Sequence, residues 1–209
     1  MNQTPLLPAS ALWPAVKNDA LAERRLAEAA KYERAYQRPR YHMGAQRMQQ
    51  SAAILESLPC RGGYLDVSCG CGEMLDHARR LGFHPVAGTE IVPALLNQRV
   101  LPAWAHELPF ADRQFDVVTC FDVLEHLLPG DDQLACREMA RVAAWHVILT
   151  VNNLSSKQPN GDELHINRRP YEEWHALFQA WFAGAKIQRF PPQYVSQAWR
   201  IDLSKAAQA

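Results

Sequence analysis

The chain has 209 residues, 48% of them apolar and 21% charged, and its 22 basic side chains balance its 22 acidic ones. This length suits one domain with a substantial core, and the lack of a basic excess argues against a protein that grips duplex nucleic acid by charge alone. The apolar runs are only as long as a strand, so we expect no membrane span.

The N-terminal segment carries no basic residues ahead of its apolar ones and is interrupted by three prolines. A secretory signal is therefore not expected. Five cysteines are an odd number in a chain that is large enough to fold without disulfides. Reduced thiols in a cytoplasmic protein are the simplest interpretation.

Residues 17–47 are Ala-rich and hold eight Lys or Arg against four Asp or Glu. Asn18 or Asp19 is placed to cap a helix that runs to Tyr36, and a second helix is predicted after Gly44. The excess of positive charge indicates either a solvated helical face or residues that cover a ligand. We predict a single domain over 1–209, in which 1–58 form a helical cap and 59–209 form the core.

From residue 64 onward, short apolar runs alternate with helix-length polar segments, a pattern typical of βαβ units and a parallel sheet. Because the last two strands are joined without a crossover helix, we expect the final strand to be antiparallel to its neighbour. The sequence therefore predicts an α/β, doubly wound, mostly parallel sheet. The predicted strands are 64–68, 85–88, 100–104, 115–120, 147–151, 186–190 and 198–203, and the predicted helices are 73–81, 93–98, 131–142 and 170–182.

A glycine turn follows the first predicted strand. Gly70 and Gly72 allow the backbone to approach a ligand, and the following helix start offers N–H groups to an anionic group. The third glycine of a dinucleotide-binding turn is replaced by Leu75, which argues against a pyrophosphate. Glu90 ends the next strand, twenty residues beyond Gly70, where a carboxylate can accept hydrogen bonds from both hydroxyls of a ribose.

Polar side chains also follow the strand FDVVTC, since Asp122, Glu125 and His126 come directly after it. In open parallel sheets, ligands bind beyond the carboxyl ends of the strands. These three ionisable groups, together with Phe121, are therefore candidates for a functional site.

Three segments in this order resemble the S-adenosylmethionine-dependent methyltransferases with a Rossmann-like fold: DVSCGCG (66–72), GTE (88–90) and LPFADRQFDVVTCFDVLEHL (108–127). The third segment is similar to the small-molecule and ubiquinone-type branch. The resemblance implies a seven-stranded sheet, S-adenosyl-L-methionine as cofactor, and methyl transfer to an oxygen or nitrogen nucleophile of a small molecule. A methyltransferase of nucleic acid or a modified nucleotide, and an inactive cofactor-binding scaffold, remain alternatives.

The resemblance also implies the cofactor contacts. The glycine turn and Asp66 would hold the methionine portion, Glu90 the ribose, and Phe121 and Asp122 would border the sulfonium. Trp104 stands where the family often has an acid near adenine, and its ring either stacks on the adenine or belongs to the core. The implied cofactor-binding residues are Asp66, Ser68, Cys69, Gly70, Gly72, Glu90, Ile91, Trp104, Ala105 and Phe121, with Tyr41 and Arg47 of the N-terminal segment expected at the cofactor's carboxylate.

The candidate catalytic residues are His126, Asp122 and His165. The ordinary pKa of histidine makes His126 the first choice as general base; alternatively, it packs or bonds to Glu125. His165 lies in the segment 162–174, which could cover the acceptor. Arg168 and Arg169 in this segment either pair with an anionic group, a phosphate or carboxylate, or are solvated.

We expect no metal. Cys69 and Cys71 form a C-x-C pair with no second pair to complete a zinc site. Asn152 and Asn153 follow a predicted strand, and neither has a neighbouring acid that would favour magnesium. The expected partner is a small-molecule acceptor, with no membrane contact, and the sequence does not indicate an oligomeric state.

Overall fold

The computed structural model describes residues 19–38, 45–191 and 196–203, with the side chains of 45–47 left undescribed. Two single-turn 3₁₀ helices, Pro93–Leu95 and Leu124–His126, connect larger elements. The helices are α1 (Ala20–Tyr36), α2 (Ala45–Glu56), α3 (Glu73–Arg80), α4 (Asp131–Val142) and α5 (Tyr171–Trp181). The strands are β1 (Tyr64–Asp66), β2 (Val86–Glu90), β3 (Val100–Pro102), β4 (Phe115–Phe121), β5 (Ala143–Asn152), β6 (Lys186–Arg189) and β7 (Ser196–Asp202).

The strands form one seven-stranded sheet in the order β3-β2-β1-β4-β5-β7-β6. Pairs from β3 to β5 are parallel, whereas β7 is antiparallel to both β5 and β6. The predicted mostly parallel α/β sheet with an antiparallel last strand is confirmed. The chain leaves β1 toward β3 and returns to β4 on its other side, so the strand order reverses between β1 and β4, where such sheets bind ligands.

Both faces of the sheet are buried, and successive residues of the central strands serve opposite faces. Leu65 and Val118 belong to the core on one side, while Tyr64 and Val117 belong to the core on the other. This alternation follows from the two-residue period of a strand. A strand buried on both faces is mostly apolar, which explains the run FDVVTC, whose one charged residue, Asp116, is only half-buried.

The helix starts follow from local chemistry. The Asp19 carboxylate caps α1 by accepting from the backbone N–H of Leu21 at 2.9 Å and of Ala22 at 3.2 Å, which confirms one of the two predicted caps. Gly72 precedes α3, and Glu73 and Asp76 lie in its first turn, where negative charge is favourable.

Three predicted elements differ from the structure. The predicted helix 93–98 is only the 3₁₀ turn Pro93–Leu95, because Leu96 is already extended. The first strand ends at Asp66 rather than residue 68, because Ser68 has φ 57°, which no strand accommodates. The strand predicted at 147–151 is longer, because it begins at Ala143 and ends at Asn152. Within the described part of the chain, no helix combines the length and apolarity needed to cross a membrane.

Candidate functional site

A cavity of about 420 Å³ lies at the carboxyl ends of the central strands. Its walls come from the glycine turn after β1, from the ends of β2 and β4, from the segment 104–106, from the loop after β5 and from α1. The cavity therefore occupies the position that the reversal in strand order predicts for a ligand. The sequence-predicted residues that line it are Ser68, Cys69, Gly70, Glu90, Ile91, Trp104, Ala105, Phe121, Asp122, His126 and His165.

The glycine turn is held tightly against its neighbours. The backbone N–H of Cys69 donates to the Thr89 carbonyl at 2.9 Å. Gly70 has φ +57°, and a Cβ added there would lie 2.6 Å from the Tyr36 hydroxyl oxygen of α1. Glycine is therefore required both by the left-handed backbone and by the close approach of α1.

Glu90 connects the turn to the end of β2. One carboxylate oxygen accepts from the Gly70 N–H at 3.1 Å, and the other accepts from the N–H groups of Ile91 at 2.7 Å and Val92 at 3.2 Å. The side chain is buried, and burial raises its pKa although the three N–H donors act in the opposite direction. The site thus holds a buried acid in the cavity wall beside the glycine turn.

Asp66 and Gly72, two expected cofactor contacts, do not line the cavity. The Asp66 side chain is buried within the sheet, where Thr119 Oγ1 donates to its carboxylate at 2.6 Å. Burial raises the pKa of Asp66 to about 7. Asp66 therefore supports the strand beneath the turn, and Gly72 precedes α3.

Asp122 is fixed at the end of β4. Its φ is 54°, and its carboxylate accepts from Thr150 Oγ1 at 2.8 Å and from Ser196 Oγ at 3.0 Å. These bonds from β5 and β7 hold the Asp122 side chain at the cavity wall with little freedom.

Glu125, His126 and His165 form a cluster, in which each residue offers one ligand atom and the three atoms lie within 4.8 Å of one another. His126 Nδ1 lies 3.0 Å from the Leu164 carbonyl oxygen, and the two imidazole centroids are 4.5 Å apart. Glu125 has no exposed surface and accepts from the Asn152 N–H at 2.8 Å. All three residues are candidates on the sequence alone, but their contact with one another was not predicted.

Trp104 lines the cavity next to Ala105. Its ring is half-buried and lies parallel to the His106 imidazole, with centroids 5.8 Å apart and planes 24° from parallel. Burial lowers the pKa of His106, which favours an uncharged imidazole behind the indole. Of the two predicted alternatives, the structure supports a cavity position for Trp104 rather than the core.

Helix α1 forms a wall of the cavity. Arg25, Tyr32 and Tyr36 line the cavity, and Arg25 is joined to the start of α4 by two hydrogen bonds, Nε to Asp131 Oδ2 at 2.8 Å and Nη2 to Oδ1 at 2.5 Å. No local pattern in the sequence distinguishes these three residues from their neighbours on the helix.

Two further groups of contacts were predicted, one in the N-terminal segment and one in the segment 162–174. Tyr41 lies outside the described residues, as does the side chain of Arg47, so their predicted contacts stay predictions. Arg168 and Arg169 do not line the cavity. Arg169 instead pairs with the buried Asp132 at 2.5 Å and lies over the Trp174 ring, 4.5 Å from its centroid, so its guanidinium is neither free in solvent nor in the cavity wall.

Comparison with known proteins confirms the resemblance inferred from the motifs. Residues 65–148 match a protein family described as "Methyltransferase domain". The chain is 32% identical over 115 residues to the uncharacterized methyltransferase YcgJ of Bacillus subtilis. The aligned region covers 48% of this chain and 45% of that protein. The chain is 31% identical over 103 residues to a ubiquinone biosynthesis O-methyltransferase of Albidiferax ferrireducens, covering 42% and 40% of the two chains.

The chain thus spans less than half the length of these two curated relatives. Its fold is also similar to that of a Burkholderia thailandensis 1,6-didemethyltoxoflavin-N1-methyltransferase, solved with bound 1,6-didemethyltoxoflavin and S-adenosylhomocysteine. The TM-score is 0.69 at 16% identity, and the match covers 91% of this chain and 93% of that one. This likeness confirms the predicted Rossmann-like methyltransferase fold.

Proposed function

We propose that this chain is an S-adenosyl-L-methionine-dependent methyltransferase that transfers a methyl group to an oxygen or nitrogen nucleophile of a small molecule. The observation that carries the proposal is the juxtaposition of Glu90 with the glycine turn in the wall of one cavity, joined by the bond from the Gly70 N–H to the Glu90 carboxylate at 3.1 Å. The match of residues 65–148 to the methyltransferase family supports it independently.

The residues present fit this cofactor. The backbone of Ser68–Gly70 lines the cavity, where it can approach the methionine portion, and the buried Glu90 carboxylate can accept from the ribose hydroxyls. The Trp104 ring is placed to stack on the adenine. Bound there, the cofactor would supply a methyl group activated by a positively charged sulfur.

The contribution of the protein would be mainly to orient the reactants and exclude water. In-line transfer needs the nucleophile about 3 Å from the methyl carbon and aligned with sulfur, so most of the acceleration comes from positioning. Asp122 is held rigidly by Thr150 and Ser196, and the wall formed by α1 would keep the reacting groups dry.

A proton leaving the nucleophile would have a candidate acceptor in His126. Because a carbonyl oxygen only accepts, His126 Nδ1 must be the donor in its bond to Leu164. When this ring is neutral, its lone pair is on Nε2, the nitrogen that would receive the proton.

A small acceptor suits a cavity that is walled by α1. The aromatic side chains Tyr32 and Tyr36 line it from α1, and they would contact an acceptor the size of a small molecule. Two similar proteins carry names that indicate acceptors of this size: the ubiquinone biosynthesis enzyme and the toxoflavin enzyme.

The first test is calorimetry with S-adenosylhomocysteine. We expect saturable one-to-one binding by the wild-type chain and a loss of affinity of about 10- to 100-fold for Glu90→Gln, because charge-assisted hydrogen bonds to the ribose are weakened. Glu107→Gln is the matched control, since Glu107 is exposed and lies outside the cavity wall. An absence of binding by the wild-type chain would refute the proposal.

The second test identifies the acceptor class. The chain is incubated with a labelled methyl donor and a cell extract separated into metabolites, RNA, DNA and protein. We expect the label in the metabolite fraction. Label confined to RNA or DNA would favour the nucleic-acid alternative, and binding of S-adenosylhomocysteine without any transfer would favour an inactive scaffold.

A further inference from the structure

We propose that Glu125, His126 and His165 form a binding site for one divalent transition-metal ion in the wall of the cavity. Two imidazoles and one carboxylate are a donor set that suits Zn²⁺, Co²⁺ or Fe²⁺ rather than Mg²⁺ or Ca²⁺, which prefer oxygen donors alone. This inference departs from the sequence-based expectation of no metal, and it has its origin in contacts between segments about forty residues apart.

The three ligand groups are already gathered. Their ligand atoms lie within 4.8 Å of one another, and His165 is 6% exposed. In a tetrahedral zinc site with bonds of about 2.1 Å, neighbouring ligand atoms are about 3.4 Å apart. Displacements of the ligand atoms by about 1 Å, through side-chain rotation, would therefore close the cluster on an ion. The half-buried His126 lines the cavity, where its side chain has room for such a movement.

The orientation of both histidines is the stronger observation. His126 Nδ1 donates to the Leu164 carbonyl at 3.0 Å, and His165 Nδ1 donates to the Leu154 carbonyl at 2.5 Å. Metal-binding histidines almost always donate their second ring N–H to a carbonyl or carboxylate, which fixes the tautomer and leaves the other nitrogen for the metal. Here two neighbouring rings are both fixed in that way.

The carboxylate is oriented in a corresponding manner. The Asn152 backbone N–H donates to Glu125 Oε1 at 2.8 Å, and the Asn167 N–H donates to the Glu125 backbone carbonyl at 2.9 Å. The 3₁₀ turn after β4 and the loop after β5 are thus joined at several points around the cluster. Hydrogen bonds to the backbone therefore orient all three groups of the cluster.

The charge of the donor set also suits a divalent cation. Glu125 would supply one negative charge at a position with no exposed surface, and the two imidazoles would bind as neutral ligands.

The site opens onto the cavity, because His126 and His165 line it. Three protein ligands leave a fourth coordination position for water or a ligand. If the proposed function is right, the nucleophilic oxygen or nitrogen of the acceptor would occupy this position and be oriented there, and the ion would replace the imidazole as the group that activates it. That role rests on the proposed function, whereas binding of the ion does not.

The test measures metal binding directly on the full chain, prepared without an affinity tag and freed of metal with a chelator. Titration with Co²⁺ is followed by visible absorption, which reports nitrogen ligation and coordination number, and titration with Zn²⁺ is followed by calorimetry. The variants are Glu125→Gln, His126→Gln and His165→Gln. His84→Gln is the matched control, because His84 is exposed and remote from the cluster in the sequence.

We expect one ion per chain for the wild-type protein and for His84→Gln, with an affinity reduced at least about tenfold in each cluster variant. Because Glu125 is fully buried and its variant could fail to fold, His126→Gln carries the test if thermal unfolding shows such a failure. The proposal is overturned if binding is not saturated below about 1 mM, or if the cluster variants bind as well as the wild type. Calorimetry with S-adenosylhomocysteine on the same metal-free sample tests the proposed function separately.

Discussion

The seating of α1 over the glycine turn predicts an energetic coupling between Gly70 and Tyr36. In Gly70→Ala, the new Cβ would lie 2.6 Å from the Tyr36 hydroxyl oxygen, whereas the next atom of that ring, Cζ, would be 3.6 Å away. The left-handed backbone at φ +57° costs an L-residue about 1–2 kcal/mol. Displacing the hydroxyl adds about 1 kcal/mol, since the end of a side chain can shift.

We therefore expect Gly70→Ala to lower the free energy of unfolding by about 2–3 kcal/mol in the wild type and by about 1–2 kcal/mol in Tyr36→Phe, a coupling of about 1 kcal/mol. Urea unfolding followed by tryptophan fluorescence measures all four members of the cycle. Gly82→Ala is the control, because Gly82 has φ +92° and no atom lies within 4 Å of an added Cβ. Its only effect should be backbone strain, which lowers the free energy of unfolding equally in both backgrounds. An equal loss for Gly70→Ala in both backgrounds would refute the seating of α1.

Three further predictions concern charged groups. Burial raises the pKa of Asp66 from 3.8 to about 7, so the folded state binds the proton more tightly than the unfolded state. The free energy of unfolding should therefore fall by about 2–4 kcal/mol as pH rises between these values. In urea unfolding at pH 4–8, Asp66→Asn should remove most of this pH dependence. Arg25→Met should expose α1 to limited proteolysis, because it leaves the nearly buried Asp131 carboxylate without its bidentate partner; unchanged cleavage would contradict this. Burial raises the pKa of Glu90, so affinity for S-adenosylhomocysteine should begin to fall with decreasing pH above the ordinary range of a glutamate, and a flat calorimetric profile down to pH 4 would be inconsistent with a ribose contact.

The local parts of the fold were predictable because they depend on local chemistry. The helix 131–142 is observed with the same bounds, since Gly130 precedes it and the apolar β5 begins directly after it. The segment 93–98 contains a suitable proline at its start, but Leu96 becomes extended and Asn97 pairs with Val100 instead. A pairing of this kind depends on the position of β3, so the residues of the segment itself do not indicate it.

The residues of the site were likewise predictable only where their positions depend on local sequence. Glu90 was predictable because its distance from Gly70 in the sequence is set by one βαβ unit. The wall supplied by Tyr32 and Tyr36 was not, because it depends on how α1 docks. The charge of Arg169 left two alternatives, pairing with an anionic group or solvation, and its partner is Asp132, thirty-seven residues earlier in the chain. Partners at such separations are decided by tertiary packing.

The attachment of α1 has a consequence for the rate at which ligands exchange. The helix has 17 residues, only slightly more than the length below which isolated helices are marginal in water, and most of a helix's stability in a protein comes from packing. It is tied to the rest of the chain by pairs such as Arg25–Asp131 and Arg34–Asp162. When it lifts from the cavity it would therefore unravel, and its amide protons would exchange with solvent in the same event. The hydrogen-exchange rate of the α1 amides would then set an upper limit on how often the cavity opens.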